Sequence, residues 1–193
     1  MANVDKAFGL RPYKGLNVGS AVQEANKYNI NPSGYGTSIF QGDLVIFNGG
    51  YIERAAASSA NIVGVFSHCY YVNSSGEPTF SNYYPASTTA LGSGDIECYI
   101  YDDPNQMFIV QADGASAVTC IGRNADTDGI GGSTTTGVST RELDSSTIAT
   151  TQGLQLKIVG VVQDDNNGDL TADNANLVVI INEHAYRGPV AGT

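Results

Sequence analysis

The sequence predicts a mainly β fold: an antiparallel β-barrel or sandwich, with a jelly-roll-like layout among the possibilities. Three observations predict it. Short apolar runs recur at roughly even spacing, several with alternating polar positions. The gaps between them carry Gly, Asn, Asp, Ser and Pro, the residues that tight turns need. Helical periodicity is nearly absent, its best stretch being Ala115 to Ile121. Hydrophobic residues make up 41% of the 193 residues and charged residues only 15%, so the polar surface must come largely from Ser, Thr, Asn and Gly. That mixture suits strands and turns better than long solvated helices.

Residues 1–20 read as an extended N-terminal arm. Gly9, Pro12 and Gly15 break any helix there, while Phe8, Leu10 and Tyr13 are apolar. Such an arm either docks on a neighbour or folds back on its own domain. Residues 21–193 read as a single β-rich domain. Its strands begin with Asn26 to Ile30, which the turn Asn31-Pro32-Ser33-Gly34 ends. Asp43 to Phe47 and Tyr51-Ile52 flank Asn48-Gly49-Gly50, a hairpin signal because Asn and Gly tolerate positive φ. Asn61 to Val72 is a longer β-type run in which Gly64 suggests a bulge. Asp95 to Tyr101 and Met107 to Gln111 alternate around Asp102-Asp103-Pro104-Asn105, which predicts a second hairpin. Residues 113–152, rich in Gly, Ser and Thr, read as a long loop excursion. Leu154 to Val162 and Ala175 to Asn182 are the last strands, and residues 183–193 a tail.

The net charge of −10 repels phosphate backbones, which argues against direct nucleic-acid binding. No apolar stretch approaches the roughly 18 residues that a membrane span needs. The segment from Met1 to Leu10 contains Asp5 and Lys6 and lacks the apolar centre of a secretory signal, so synthesis in a cytoplasm is expected. Cys69, Cys98 and Cys120 have no C-x-x-C spacing and sit in or beside apolar runs, which suggests buried free thiols.

Catalytic chemistry finds little support. His68 and His184 are the two histidines, and neither has a partner at metal-ligand spacing. His68 adjoins Cys69, but neighbours along a strand face opposite ways and make a poor base–nucleophile couple. No nucleophile elbow, phosphate loop or dinucleotide fingerprint occurs. No enzyme, catalytic residue or cofactor is expected. Asn124, Asp126, Asp128 and Gly129 match the first half of a calcium loop, yet Thr135 stands where the bidentate carboxylate belongs. These three side chains are a weak metal candidate, against the plainer reading of a polar turn. Asp164, Asp165 and Asp169 around Gly168 fail the same spacing. Tyr70-Tyr71 and Tyr83-Tyr84 could form a sugar-binding face, but tyrosines also serve subunit interfaces and half-buried strands.

An ordered set of short motifs runs nearly the whole length. It opens with Met1-Ala2-Asn3 and Phe8-Gly9-Leu10-Arg11-Pro12, and continues with Ser33-Gly34-Tyr35-Gly36-Thr37 and Ile39-Phe40-Gln41-Gly42-Asp43. Ile62-Val63-Gly64-Val65-Phe66, Tyr101-Asp102-Asp103-Pro104-Asn105, Ile158-Val159-Gly160-Val161-Val162 and Ile181-Asn182-Glu183-His184 complete it. In this the chain resembles a family of small virion structural proteins of environmental and marine tailed bacteriophages. The resemblance implies a capsid decoration (cement) role on the outside of the phage head, typically as a homotrimer bound to the major capsid protein. It implies no catalytic residues. For such a role, Phe8, Leu10, Arg11 and Pro12 are the expected capsid contact, with the apolar side chains buried and Arg11 paired with a carboxylate. Deleting residues 2–15 is then expected to abolish capsid binding while the domain still folds. The alternatives are a carbohydrate-binding or adhesion module, a minor tail or head-completion protein, and a hydrolase whose catalytic groups meet only in the fold.

Overall fold

The computed structural model describes residues 3–16, 24–162 and 166–187. The far end of the expected arm, the turn residues Asp164 and Asp165 and the end of the tail lie outside them. In chain order the strands are β1 (Arg11–Gly15), β2 (Asn26–Ile30), β3 (Ile39–Phe40), β4 (Leu44–Asn48), β5 (Tyr51–Arg54), β6 (Ile62–Val72), β7 (Pro78–Ser81) and β8 (Tyr83–Tyr84). They continue with β9 (Ile96–Tyr101), β10 (Gln106–Gln111), β11 (Asn124–Ala125), β12 (Thr127–Asp128), β13 (Glu142–Leu143), β14 (Leu156–Val161) and β15 (Asn176–Ile181). The fold is mainly β, and every pairing between these strands is antiparallel.

Two sheets dominate. The first has the order β1-β10-β15-β14-β11. The second runs β2-β9-β6-β4-β5, with β7 paired to the far half of β6. The second sheet curls, bringing the Tyr28 ring of β2 to 5.6 Å from Phe47 of β4. Its hydrogen-bonded path stays open, so the architecture is sandwich-like rather than a closed barrel.

Alternation explains the packing. Phe108, Val110, Leu177, Val179 and Ile158 of the first sheet share one core with Leu44, Ile62 and Val65 of the second. The opposite face of the second sheet, with Val45, Val63, Phe66 and Ile100, encloses another core with Ile30, Ile39 and Tyr84. Strands β4 and β6 are apolar on both faces because both faces are covered. A bulge next to Gly64 lets β6 serve both cores: the register slips where Val45 faces Gly64 and Ile46 faces Ile62. Any side chain at Gly64 would collide with the Tyr101 carbonyl of β9.

The β4–β5 hairpin forms as the sequence predicts, with φ of 56° at Gly49 and 85° at Gly50. The second expected hairpin does not. β9 pairs with β2 and β6, while β10 pairs with β1 and β15 in the other sheet. The segment Asp102 to Asn105 is a crossover, held to other parts of the fold. Asp102 accepts from Asn26 Nδ2 at 2.8 Å and from the Tyr28 hydroxyl at 2.5 Å, and the Pro104 carbonyl accepts from Arg187. Cys69 and Cys98 stand directly opposite each other on β6 and β9, buried and free. Burial pushes the Cys69 thiol up to about 12 and that of Cys98 higher still, so both are protonated and unreactive.

The arm takes the second of its two expected courses. Residues 3–16 fold back on their own domain instead of extending. Asn3 Nδ2 donates to the carbonyls of Asp169 and Asp173, the Lys6 amide donates to Gln111 Oε1 at 2.8 Å, and β1 forms the edge strand beside β10. Pro12, which has no N–H to offer, suits that edge.

The excursion at 113–152 is short of regular structure, as expected, but it is packed. Cys120, Ala125 and Leu143 enter the core between the sheets. Arg141, its guanidinium wholly buried, lies 3.8 Å from the equally buried Asp43. Arg141 donates to the Ala55 carbonyl and to Thr127 Oγ1, and Ser139 Oγ donates to Asp43 Oδ1 at 2.6 Å. The second Asp43 oxygen accepts from the Phe40 amide at 2.8 Å. Gln155 extends this network to Thr127 and to the carbonyls of Ala56 and Ser59.

Candidate docking site

The four residues expected to touch a partner lie together. Leu10 is 1% exposed and belongs to the core between the sheets, so it cannot itself be a surface contact. Its amide donates to the Gly42 carbonyl at 2.9 Å, and Gly42 in turn needs its φ of 95° to let the chain pass. Leu10 instead lines the inside of a cavity of about 260 Å³ between β1 and β6. Val65 and Phe66 line it too, and Phe8, Pro12, Gln41 and Tyr101 complete its wall. Arg11 is exposed and lies over the Phe8 ring, 4.1 Å from its centre.

The Phe8–Arg11 stack also borders a second cavity of about 370 Å³. That one is polar, lined by Lys6, Gln111, Asn167 and Asn176. Gln111 and Asn167 donate to the Val4 carbonyl, fixing the wall, while Asn176 Oδ1 is buried without a hydrogen-bond partner. One apolar hollow and one amide-lined hollow therefore share a wall that carries a guanidinium. The arrangement suits an apolar group with a carboxylate beside it.

The side chains of the metal candidate are each engaged by the protein itself. Asn124 sits in β11 of the first sheet and Asp128 in β12 of a separate two-stranded ribbon. Asn124 Nδ2 donates to the Thr151 carbonyl, Asp126 Oδ1 accepts from the Gln155 amide, and Asp128 Oδ1 accepts from the Gly129 amide. Among the described residues no group of three or more His, Cys, Asp or Glu side chains could hold a metal ion. Asp169 caps a turn by accepting from Thr171.

The histidines lie apart in the fold. His68 stands on the face of β6 opposite Cys69, its ring 4.5 Å from Tyr99 and 4.7 Å from Phe80, while Cys69 enters the second core. His184 is buried, and its Nδ1 accepts from the Tyr186 amide at 3.1 Å. Burial first, and the Arg187 charge second, push the His184 ring down to about 4. The unfolded chain protonates this histidine near pH 6.5 and the folded one only near 4, so stability is fully present above that window and falls as pH drops through it. The loss amounts to roughly 3 kcal/mol. His184→Gln is expected to flatten this part of the pH dependence of urea unfolding. An unchanged slope between about pH 7 and pH 4 would assign the acid sensitivity elsewhere.

Sequence reasoning found Phe8 to Pro12 but not the residues that shape their cavities. Val65 and Phe66 read only as strand, and Gln111, Asn167 and Asn176 as strand ends and turns. Compared with family models, curated proteins and solved structures, the chain matches none.

Proposed function

We propose that this is a non-enzymatic structural protein of a tailed-phage virion, a capsid decoration protein that binds the outside of the head. In this reading it is made in the host cytoplasm, assembles as a homotrimer and grips the major capsid protein, stabilising the shell. It touches neither nucleic acid nor membrane. Among the described residues no helix is long and apolar enough to cross a bilayer. The observation that carries the reading is the exposed Arg11 on the wall between an apolar and an amide-lined hollow. A side chain such as Leu or Phe on the shell would fill the first. A neighbouring carboxylate would pair with Arg11 and Lys6.

The test uses shells of the major capsid protein and variants that spare the core. Arg11→Glu is expected to weaken shell binding by roughly 100-fold, and Phe8→Ala by roughly tenfold. Both should keep the wild-type unfolding midpoint within a small margin. Shell binding that survives both substitutions unchanged would remove this site from the reading. Failure of the wild-type chain to bind shells at all would overturn the reading itself.

A glycan-binding role is the second reading, favoured by one feature. Phe80 on β7 is 69% exposed, beside His68, Tyr70 and Tyr99 on the face of the second sheet opposite Cys69 and Cys98. Glycan-array binding that disappears in Phe80→Ala would support it. No signal above background in the wild type would exclude it.

A further inference from the structure

The outer face of the first sheet is unusual for this molecule. Along β10, β14 and β15, alternate residues enter the core between the sheets. The others, Met107, Val159, Val178 and Ile180, form a separate apolar cluster on the far side; Met107, Val178 and Ile180 are only 7–8% exposed, so what this face leaves open to a partner is its border. Sheets apolar on both faces are normally covered on both. Here Tyr13 and Leu16, 41% and 45% exposed, border a hollow over this cluster at one side. Val118 and Ile121 add two more exposed apolar side chains beyond β14.

Charge marks the same face. The chain carries 19 acidic and 9 basic residues, yet the five strands of this sheet contain no Asp or Glu. Their charged residues are Arg11, Lys14 and Lys157. Lys157 reaches toward the Gly122 carbonyl beside Ile121, and Lys14 lies over the Tyr13 ring. The cations thus stand next to the exposed apolar side chains. The acidic groups gather elsewhere. Asp128 and Glu142 face each other on β12 and β13, the Asp113 amide donates to the Leu143 carbonyl next to Glu142, and Asp5 precedes Lys6, whose amide donates to Gln111, two residues before Asp113.

We infer that the outer face of the β1-β10-β15-β14-β11 sheet is a contact surface for a second copy of this chain, engaged head-to-tail against its acidic Asp5–Asp113–Asp128–Glu142 region. A face-to-face pair would oppose Lys14 and Lys157 to their own counterparts. A head-to-tail contact sets basic rim against acidic surface, and closes into a ring when the rotation allows. The inference takes the self-association of the proposed function and gives it a surface. It does not require a shell.

Analytical ultracentrifugation of the purified chain tests it. The wild type should sediment as an oligomer that weakens in high salt. Leu16→Glu should shift it toward monomer, as should the pair Lys14→Glu and Lys157→Glu. The pair Asp5→Lys and Asp128→Lys should do the same from the other side. Each is expected to lower the association constant at least about tenfold without changing the circular dichroism spectrum. Mixing the two charge-reversed chains should restore association, because each supplies the complement of the other. A wild-type monomer, or assembly indifferent to both reversals, overturns the inference. Restoration that fails on mixing overturns the head-to-tail arrangement. A monomer that still binds shells sinks this inference and the trimer with it but leaves shell binding standing, and an oligomer that ignores shells sinks the decoration reading alone.

Discussion

Arg141→Ala is expected to destabilise the protein by about 3–5 kcal/mol, the cost of breaking a buried ion pair from one side. The reason lies in what remains. Asp43 would keep two of its hydrogen bonds, from Ser139 and Phe40, but lose the guanidinium 3.8 Å away in a site sealed from water. The Ala55 carbonyl would lose its guanidinium donor, and Thr127 Oγ1 one of its partners. Burial pushes Asp43 up and Arg141 down to about 10; at Asp43 the Ser139 and Phe40 hydrogen bonds and then the Arg141 charge oppose it, and at Arg141 the Asp43 charge is the first counterweight. Lysine is no substitute, since a single ammonium cannot fork between Ala55, Thr127 and Asp43. A paired change to apolar residues of similar size should cost much less than the sum of the single changes. Urea unfolding of Arg141→Ala, Asp43→Asn and the double variant measures this. Additive effects, or a loss below about 1 kcal/mol for Arg141→Ala, would show that the pair does not fasten the excursion.

That residue also shows where the sequence stops being informative. Strand existence was legible, because period-two alternation and turn residues are local signals: Asn26 to Ile30 is β2 residue for residue. Partner choice was not. Asp102 to Asn105 has good turn chemistry, yet it carries the chain between sheets, because Asn26, Tyr28 and Arg187 hold it from distant points in the chain. Arg141 sits in a stretch of Ser, Thr and Gly, where a charge reads as solvated. Nothing local announces an Asp almost a hundred positions earlier. The candidate docking site was half legible for the same reason. Phe8 to Pro12 stand out as apolar and basic residues together, but a cavity is made by chain segments that meet only in the fold.

Deleting residues 2–15 is expected to destabilise the domain itself, by more than any single surface substitution, rather than trimming a free arm. Three separate losses add. Leu10 leaves the core between the sheets, and a buried leucine replaced by alanine alone costs about 2–5 kcal/mol. β10 loses its neighbour and becomes an edge, exposing Phe108 and Met107 along a strand with no charged residue. Gln111 and Asn167 lose the Val4 carbonyl they share and keep only that of Asn174, and Gln111 Oε1 loses the Lys6 amide. The truncated chain should therefore unfold at lower urea and tend to aggregate through the new edge. Loss of shell binding after such a deletion would say nothing about the docking site. Leu10→Ala separates the two effects: it should lower stability by the leucine increment while leaving Arg11 and the rim of both hollows in place. Wild-type stability in the truncated chain would mean that residues 3–16 only rest on the domain, and that the back-folded segment is free to act as an arm after all.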